Sequence, residues 1–570
     1  MKRWVFAPGD RAAGDRLARA LGIAPLTGLL LVNRGIRDPE EARRFLKPDL
    51  AALADPFRFP DMGRAVDRLE RAVRGAEAVA VFGDYDADGI AGTGILVKLL
   101  SLLGVKVLYR IPHRLTDGYG LNLRAVEEFA SAGVKVLVTI DCGTGDRGEL
   151  ERARALGMDV VVVDHHEPPA GGGDIPAWAV LNPKVNGSGD TFRGFCAAGI
   201  AFKLAWALAD RTAARTRPGF EGFILDAIGL AALGTVADVC PLIGENRILV
   251  CYGLDALRAC RGKGLRRLLD LARPGKGPLE TFDLGFKIAP RLNALGRLGS
   301  AEGCVDLLVT EDEERIGEIL RLLERSHRNR KELENEIFAE ACGRVEEEGA
   351  EGVIVVAGQG WHPGVVGIVA ARLVDRYSLP SFVLGVADGV ARGSARSVEG
   401  FPLHEALESC RDLLLTHGGH AMAAGLSLRA EDLPEFRERM RRRAARQLPP
   451  EQRGPRLDVD AEVSLAEITP PVVRELERLA PHGPGNPEPV LSAGGVRVAG
   501  APRLLGRGGD HLGLYLTQGG STLRAVGFGM GGIVESLRQG GTVSVAFTPR
   551  IDTWRGLETT ELRLRDVKFD

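Results

Sequence analysis

Between residues 77 and 163 the chain alternates short apolar, β-branched runs with amphipathic stretches. AVAVFG, VKVLYRI, VKVLVTI and DVVVV read as strands. Residues 90–103, about 122–132 and about 148–157 read as the helices between them. Strands that are apolar throughout and separated by helices predict a parallel, doubly wound sheet covered on both faces. Ahead of it, residues 1–50 form a polar, helix-leaning leader in which Asp38 suits an N-cap and Pro39 the first helical position.

Beyond about residue 197 the chain is helix-rich, and from Glu311 to Gly349 it holds no proline and two internal glycines, Gly317 and Gly343. Ile316, Leu320, Leu323, Ile337, Ala341 and Val345 keep helical spacing around the polar stretch ERSHRNRKELENE, which predicts one long connecting helix. A second α/β unit starts at GVIVVAG (352–358) and ends in the basic helix FRERMRRRAARQ (436–447), followed by the linker LPPEQRGPR. The tail from about 457 carries short, Gly-punctuated alternating strands that suit an OB-fold barrel.

Ligands of open parallel sheets bind beyond the carboxyl ends of the strands, so the residues just past each run matter most. They are Asp84-Tyr85-Asp86-Ala87-Asp88-Gly89, Asp141-Cys142-Gly143 and Asp164-His165-His166. A single Asp after a strand is commonly a helix N-cap. Three strand ends that gather five carboxylates and two imidazoles are not explained that way. Crowded carboxylates repel unless a cation neutralises them, and oxygen donors with a few imidazoles suit Mn²⁺ or Mg²⁺. Two such ions, about 3.5–4 Å apart, activate water and stabilise both oxygens of a phosphoester displacement.

Composition narrows the setting. At 570 residues the chain exceeds one core. A net charge of −2 leaves nucleic-acid binding to local or metal-bridged contacts. Eight scattered cysteines form no C-x-x-C pair, which predicts reduced, mostly buried thiols. The start lacks an apolar leader and no run of about 18 uninterrupted apolar residues occurs, so a soluble cytoplasmic protein with no membrane partner is expected. The absence of G-x-G-x-x-G after the first strand sets aside a dinucleotide-dependent dehydrogenase.

DYDADG (84–89), IDCG (140–143), DHH (164–166) and GTVADVCPL (234–242) resemble the motifs of the DHH phosphoesterases, in the order and wording of the RecJ family. RLTDGYG (114–120), KIAPRLNALGRLG (287–299), GWHPGVVGIVAARL (360–373), RGSARS (392–397), GGHAMAAGLS (418–427), GPGNPEPVL (483–491) and TWRGLETTELRLRDVKF (553–569) extend that resemblance to the C-terminus. It implies a leader over 1–50, a DHH catalytic domain over 51–310, a connecting helix over 311–350, a DHH-associated domain over 351–450 and an OB-fold over 455–570. Asp84, Asp86, Asp88, Asp141, His165 and Asp238 would hold two ions, Mn²⁺ or Mg²⁺, with His166 nearer the scissile phosphate and Asp141, His165 and His166 as the catalytic set. Arg114, Arg291, Asn293 and Arg297 would meet backbone phosphates, Ser394 and Arg396 the 5′ end of the strand, His420 the active cleft, and Trp554 a base.

The implied activity is single-stranded-DNA-specific 5′-to-3′ exonuclease action by a monomer in repair and recombination, with single-strand binding protein or a helicase as protein partners. Two alternatives share the scaffold: an oligoribonuclease or cyclic-dinucleotide phosphodiesterase, and a noncatalytic replication scaffold of the Cdc45 kind. The extra barrel speaks against the first, and the filled acidic and histidine positions against the second.

Overall fold

The computed structural model describes the whole chain except residues 1, 115, 170–173, 186–188, 190, 274, 276, 299, 450–452 and 553–557, and the side chain of Leu298. It divides into two compact units. The larger contains Ala7–Glu324, Asp460–Arg565 and Phe569–Asp570, and the smaller contains Met1–Phe6, Arg325–Val459 and Asp566–Lys568.

The larger unit is built on a five-stranded parallel sheet in the order Val107–Arg110, Val79–Gly83, Val136–Ile140, Asp159–Val163, Ala179–Leu181. Period-2 alternation sends Val79, Val81, Val136, Val138, Ile140, Val161 and Val163 into the core under the helices Met62–Gly75, Ala87–Leu102, Ala197–Arg211 and Phe220–Ala237. Ala80, Phe82, Leu137, Val160 and Val162 face the other way, onto Leu123–Ser131 and Arg147–Ala155. Both faces are therefore covered, which is why these strands read as continuous apolar runs. The first strand lies inside the sheet with its successors on either side, so the order reverses there and opens a crevice at the carboxyl ends.

Among the described residues one helix, Phe220–Ala237, is long and apolar enough by composition to cross a membrane. It lies in the core of this unit, packed on Ala87–Leu102, Ala197–Arg211 and Gly244–Arg258. The tail forms strands in the order Ala461–Glu462, Leu491–Leu505, His511–Gln518, Ser521–Gly527, Thr559–Phe569, Thr542–Asp552, and Leu491–Leu505 also pairs with Thr542–Asp552, closing a barrel.

In the smaller unit a mixed sheet runs Leu414–Gly419, Ala423–Arg429, Val390–Arg396, Ser381–Ala387, Ile354–Gln359, with helices Pro363–Tyr377 and Leu433–Gln447 on opposite faces. The long helix is continuous from Glu313 to Glu348. Ile316, Ile319, Leu320 and Leu323 join the core of the larger unit, whereas Ile337, Ala341, Cys342 and Val345 join that of the smaller. This split accounts for the polar middle of its sequence.

The leader is only partly as expected. Asp38 does cap the helix Pro39–Leu46, accepting from Glu40 and Glu41 N–H at 3.0 and 2.9 Å. It is preceded, however, by a strand, Arg3–Phe6, paired in parallel with Arg456–Val459. A four-residue strand whose partner lies that far along the chain leaves no local signature. The leader helices also bond to the later part of the larger unit: Arg34 donates to Asn486 Oδ1, and Ala24 N–H and Thr27 Oγ1 donate to Glu475, at 2.8–2.9 Å.

Candidate metal centre

Register brings the acidic residues together. Val79–Gly83 pairs with Val136–Ile140 residue for residue, and Val136–Ile140 with Asp159–Val163. The next residues, Asp84, Asp141 and Asp164, stand side by side, each N–H donating to the carbonyl that ends the neighbouring strand (Ile140, Val163 and Leu181, 2.9–3.1 Å). Asp141 takes a left-handed backbone at φ 63°, a conformation Asp tolerates better than most residues.

Each carboxylate has a particular surrounding. Asp86 caps Ala87–Leu102, its Oδ1 accepting from Asp88 and Gly89 N–H at 2.9 and 3.1 Å. Asp88, fully buried one turn in, accepts from Ala197 and Ala198 N–H at 2.7 and 2.9 Å, at the start of the helix Ala197–Arg211. Asp238 ends the helix Phe220–Ala237, and Val239 after it adopts φ 58°, strained for a β-branched residue.

These groups converge on His165. Its Nε2 lies 3.2 Å from Asp141 Oδ1, 3.6 Å from Asp238 Oδ2 and 3.9 Å from Asp88 Oδ2. Ligand atoms of Asp84, Asp86 and Asp141 lie within 4.8 Å of one another, as do those of Asp141, His165 and His166. Buried Asp84 Oδ1, Asp141 Oδ1 and His165 Nε2 all lack a hydrogen-bond partner. Buried polar atoms are rarely left so, and three on one space mark a place for a ligand.

Electrostatics point the same way. Burial, then Asp238 and Asp86, push Asp88 up to about 8. Burial and then Asp86 push Asp238 up to about 6. Asp84 and Asp141 also rise, through burial and then neighbouring carboxylates, while burial and the charge of His166 lower His165 to about 4. Carboxylates that resist ionisation beside an imidazole that resists protonation fit divalent cations, which would neutralise the one and be bound by the other.

Asp164 has a different role. Its Oδ1 accepts from His165 and His166 N–H and lies 2.8 Å from His166 Nδ1, and its Oδ2 accepts from Thr144 N–H. Burial would raise Asp164, but His166 and these donors outweigh it and hold the carboxyl well below its usual range. Burial likewise pulls His166 down, and Asp164 more than offsets it, leaving the imidazole raised.

The chain matches the DHH family N-terminal domain over residues 78–235, the DHHA1 domain over 350–446 and the RecJ OB domain over 459–566. It is 36% identical to the single-stranded-DNA-specific exonuclease RecJ of Bacillus subtilis, across 99% of this chain and 70% of that one. To the RecJ of Thermus thermophilus it is 38% identical, across 90% and 72%. The chain belongs to the RecJ family. The crystal structure of the T. thermophilus RecJ in complex with Mn²⁺ matches it at a TM-score of 0.82 and 32% identity, covering 100% of this chain and 80% of that chain.

The remaining residues that the RecJ resemblance singles out divide between the two units. In the larger, the Arg114 guanidinium sits 5.0 Å from the Tyr85 ring centre, and Arg297 also acts electrostatically on Tyr85. Asn293 Oδ1 accepts from Ala87 N–H at 2.7 Å, steadying the first turn of the Asp88 helix, and Arg291 donates to Glu324 and to the Lys287 carbonyl, both at 2.6 Å. Ser394 and Arg396 share the strand Val390–Arg396 in the smaller unit and lie against Gly367, while His420 is exposed. Trp554 lies outside the described residues.

Two residues escaped the sequence reading. The Tyr119 hydroxyl donates to the Asp141 carbonyl at 3.0 Å and lies 3.0 Å from His166 Nδ1; Asn182 Nδ2 donates to the His166 carbonyl at 2.9 Å and to Thr144 Oγ1. Tyr119 belongs to RLTDGYG and could have been flagged with it. Asn182, in the plain turn LNPK, carried no signal.

Proposed function

We infer that this chain is a metal-dependent, single-stranded-DNA-specific exonuclease that degrades from the 5′ end and releases 5′-mononucleotides. The convergence of Asp84, Asp86, Asp141, Asp238 and two histidines at the sheet's switch point carries the reading. Asp84, Asp86, Asp88, Asp141, His165 and Asp238 would hold two ions, Mn²⁺ or Mg²⁺. Bound there, the ions supply Lewis-acid activation of water and neutralise charge on the phosphodiester.

The chain's own residues do the rest. Asp164 fixes the His166 ring through Nδ1 and leaves Nε2 to give or take a proton at the scissile phosphate. Tyr119 and Asn182 hold the Asp141 and His166 main chain in place. Arg114 and Arg297, near Asp84 and Tyr85, supply cationic contacts to the phosphates entering the site, with Arg291 and Asn293 on the same segment. Ser394 and Arg396 serve the strand's 5′ end, His420 serves the active cleft, and the barrel with Trp554 holds the strand downstream. Binding through the backbone selects single strands by shape and reads no bases.

A monomer in the cytoplasm, working with single-strand binding protein or a helicase, completes the proposal; what supports this setting is the substrate itself. The decisive assay digests matched single- and double-stranded DNA labelled at either end, with and without Mn²⁺. Mononucleotides leaving first from the 5′ label of single strands are expected. Release first from the 3′ label overturns the polarity, and undiminished cleavage under chelation overturns the metal centre.

A further inference from the structure

The cluster carries one donor that hard cations do not seek. After Asp238 the chain turns through the strained, exposed Val239 and brings Cys240 back as a buried thiol. Its Sγ lies 3.3 Å from Asp238 Oδ2, which lies 3.6 Å from His165 Nε2. Ligand atoms of His165, Asp238 and Cys240 all fall within 4.8 Å of one another. A second thiol, Cys196, touches Cys240 and also reaches the Asp88 carboxylate; its Sγ accepts from Gly199 N–H at 3.4 Å and lies 3.5 Å from Thr235 Oγ1. Cys240 is the sulfur beside Asp238 and His165. One imidazole nitrogen, one carboxylate oxygen and one sulfur make a donor set for Zn²⁺ or Co²⁺, whereas Mg²⁺ and Mn²⁺ favour oxygen.

We propose that His165, Asp238 and Cys240 form a site for a thiophilic divalent cation, Zn²⁺ foremost, which competes with the hard ions for His165 and Asp238 and thereby inhibits the nuclease. The inference rests on the metal-centre reading above, since two of its three donors are shared. Binding exchanges the Cys240 thiol proton, lost to solvent, for a metal–sulfur bond, and nothing is oxidised or reduced.

The test adds Co²⁺ to the metal-free full-length protein and records its absorption spectrum. A sulfur-to-cobalt charge-transfer band in the near ultraviolet is expected, displaced by Zn²⁺ and missing from Cys240→Ser. That variant should bind Zn²⁺ at least about tenfold more weakly, with a smaller change for Mn²⁺. On the wild-type protein loaded with Zn²⁺, X-ray absorption should show a zinc–sulfur distance of about 2.3 Å, which keeps the test intact should the variant misfold. Cobalt bound without the sulfur band, or a band that survives in Cys240→Ser, or bound zinc with no sulfur neighbour, overturns this inference and leaves the metal centre standing. Failure to bind either Co²⁺ or Mn²⁺ overturns both.

Discussion

Asp141 joins two demands in one residue: a carboxylate aimed at His165 and a left-handed backbone. Asn meets the second and not the first, so Asp141→Asn separates them, whereas Ala would add roughly 1 kcal/mol of backbone strain. Asp141→Asn should keep its thermal transition within a few degrees of wild type and lose at least about a hundredfold in Mn²⁺-supported cleavage, since even residues behind a metal's ligands commonly cost 10–100-fold. Retention of wild-type rates would remove Asp141 from the centre. The positions of the acids were readable at this scale because motifs place them at strand ends. Their division of labour was not, because it depends on partners from other elements. Asp164 reads as one more carboxylate of the cluster, yet its oxygens are taken by His166 and backbone N–H groups; Asn293 reads as a phosphate donor, yet its oxygen steadies Ala87.

At the scale of elements, the helices behind the site approach so closely that glycine is required. A Cβ on Gly234 would fall 2.5 Å from Asp88 Oδ1 and 2.6 Å from the Ala198 side chain. Gly234→Ala should therefore displace Asp88 from the N–H groups of the Ala197–Arg211 helix and cost about 1–3 kcal/mol. Its urea midpoint should fall and its Mn²⁺ affinity with it; unchanged values for both would mean that the helices separate freely. The strands and long helices were legible because their periodicity is local. The strand Arg3–Phe6 was not, nor was the π-helical turn Leu284–Ile288 that leads into KIAPRLNALGRLG, where hydrogen bonding rather than side-chain pattern sets the wider coil.

Across the whole molecule, the barrel and the catalytic sheet share one compact unit, and sequence order alone did not show it. Buried Arg247 donates to the carbonyls of Phe45, Arg478, Leu479 and Ala480 at 2.8–3.1 Å and lies 3.8 Å from the Phe45 ring centre. Nearby His482 is held down to about 4 by burial first, with Arg34, Arg550 and Arg247 adding to it. The unfolded chain therefore binds a proton below about pH 6.5 that the folded chain refuses until about pH 4. Stability from neutral His482 is whole above pH 6.5 and drains away as the pH falls. The loss between pH 7 and 5 should be about 2 kcal/mol, and His482→Gln should flatten the urea midpoint over that range by this amount. An equal slope in both proteins would assign the acid sensitivity elsewhere. Divalent ions should act on the same unit: Mn²⁺ at a hundred times its dissociation constant should stabilise it by about 2.7 kcal/mol, seen as a rise in melting temperature that Asp141→Asn abolishes.

The larger unit is interrupted at Glu324 and resumes only at Asp460, and the first strand of the chain pairs with Arg456–Val459. On a ribosome, then, the inserted segment emerges before either arrangement can be completed. The strands of the catalytic sheet all precede Asn182 and emerge early, but Arg247 lacks the carbonyls of Arg478, Leu479 and Ala480 until that later stretch follows. A ribosome that stops short of Arg478 thus leaves the Arg247 guanidinium with the Phe45 carbonyl and without the three acceptors it meets in the finished unit.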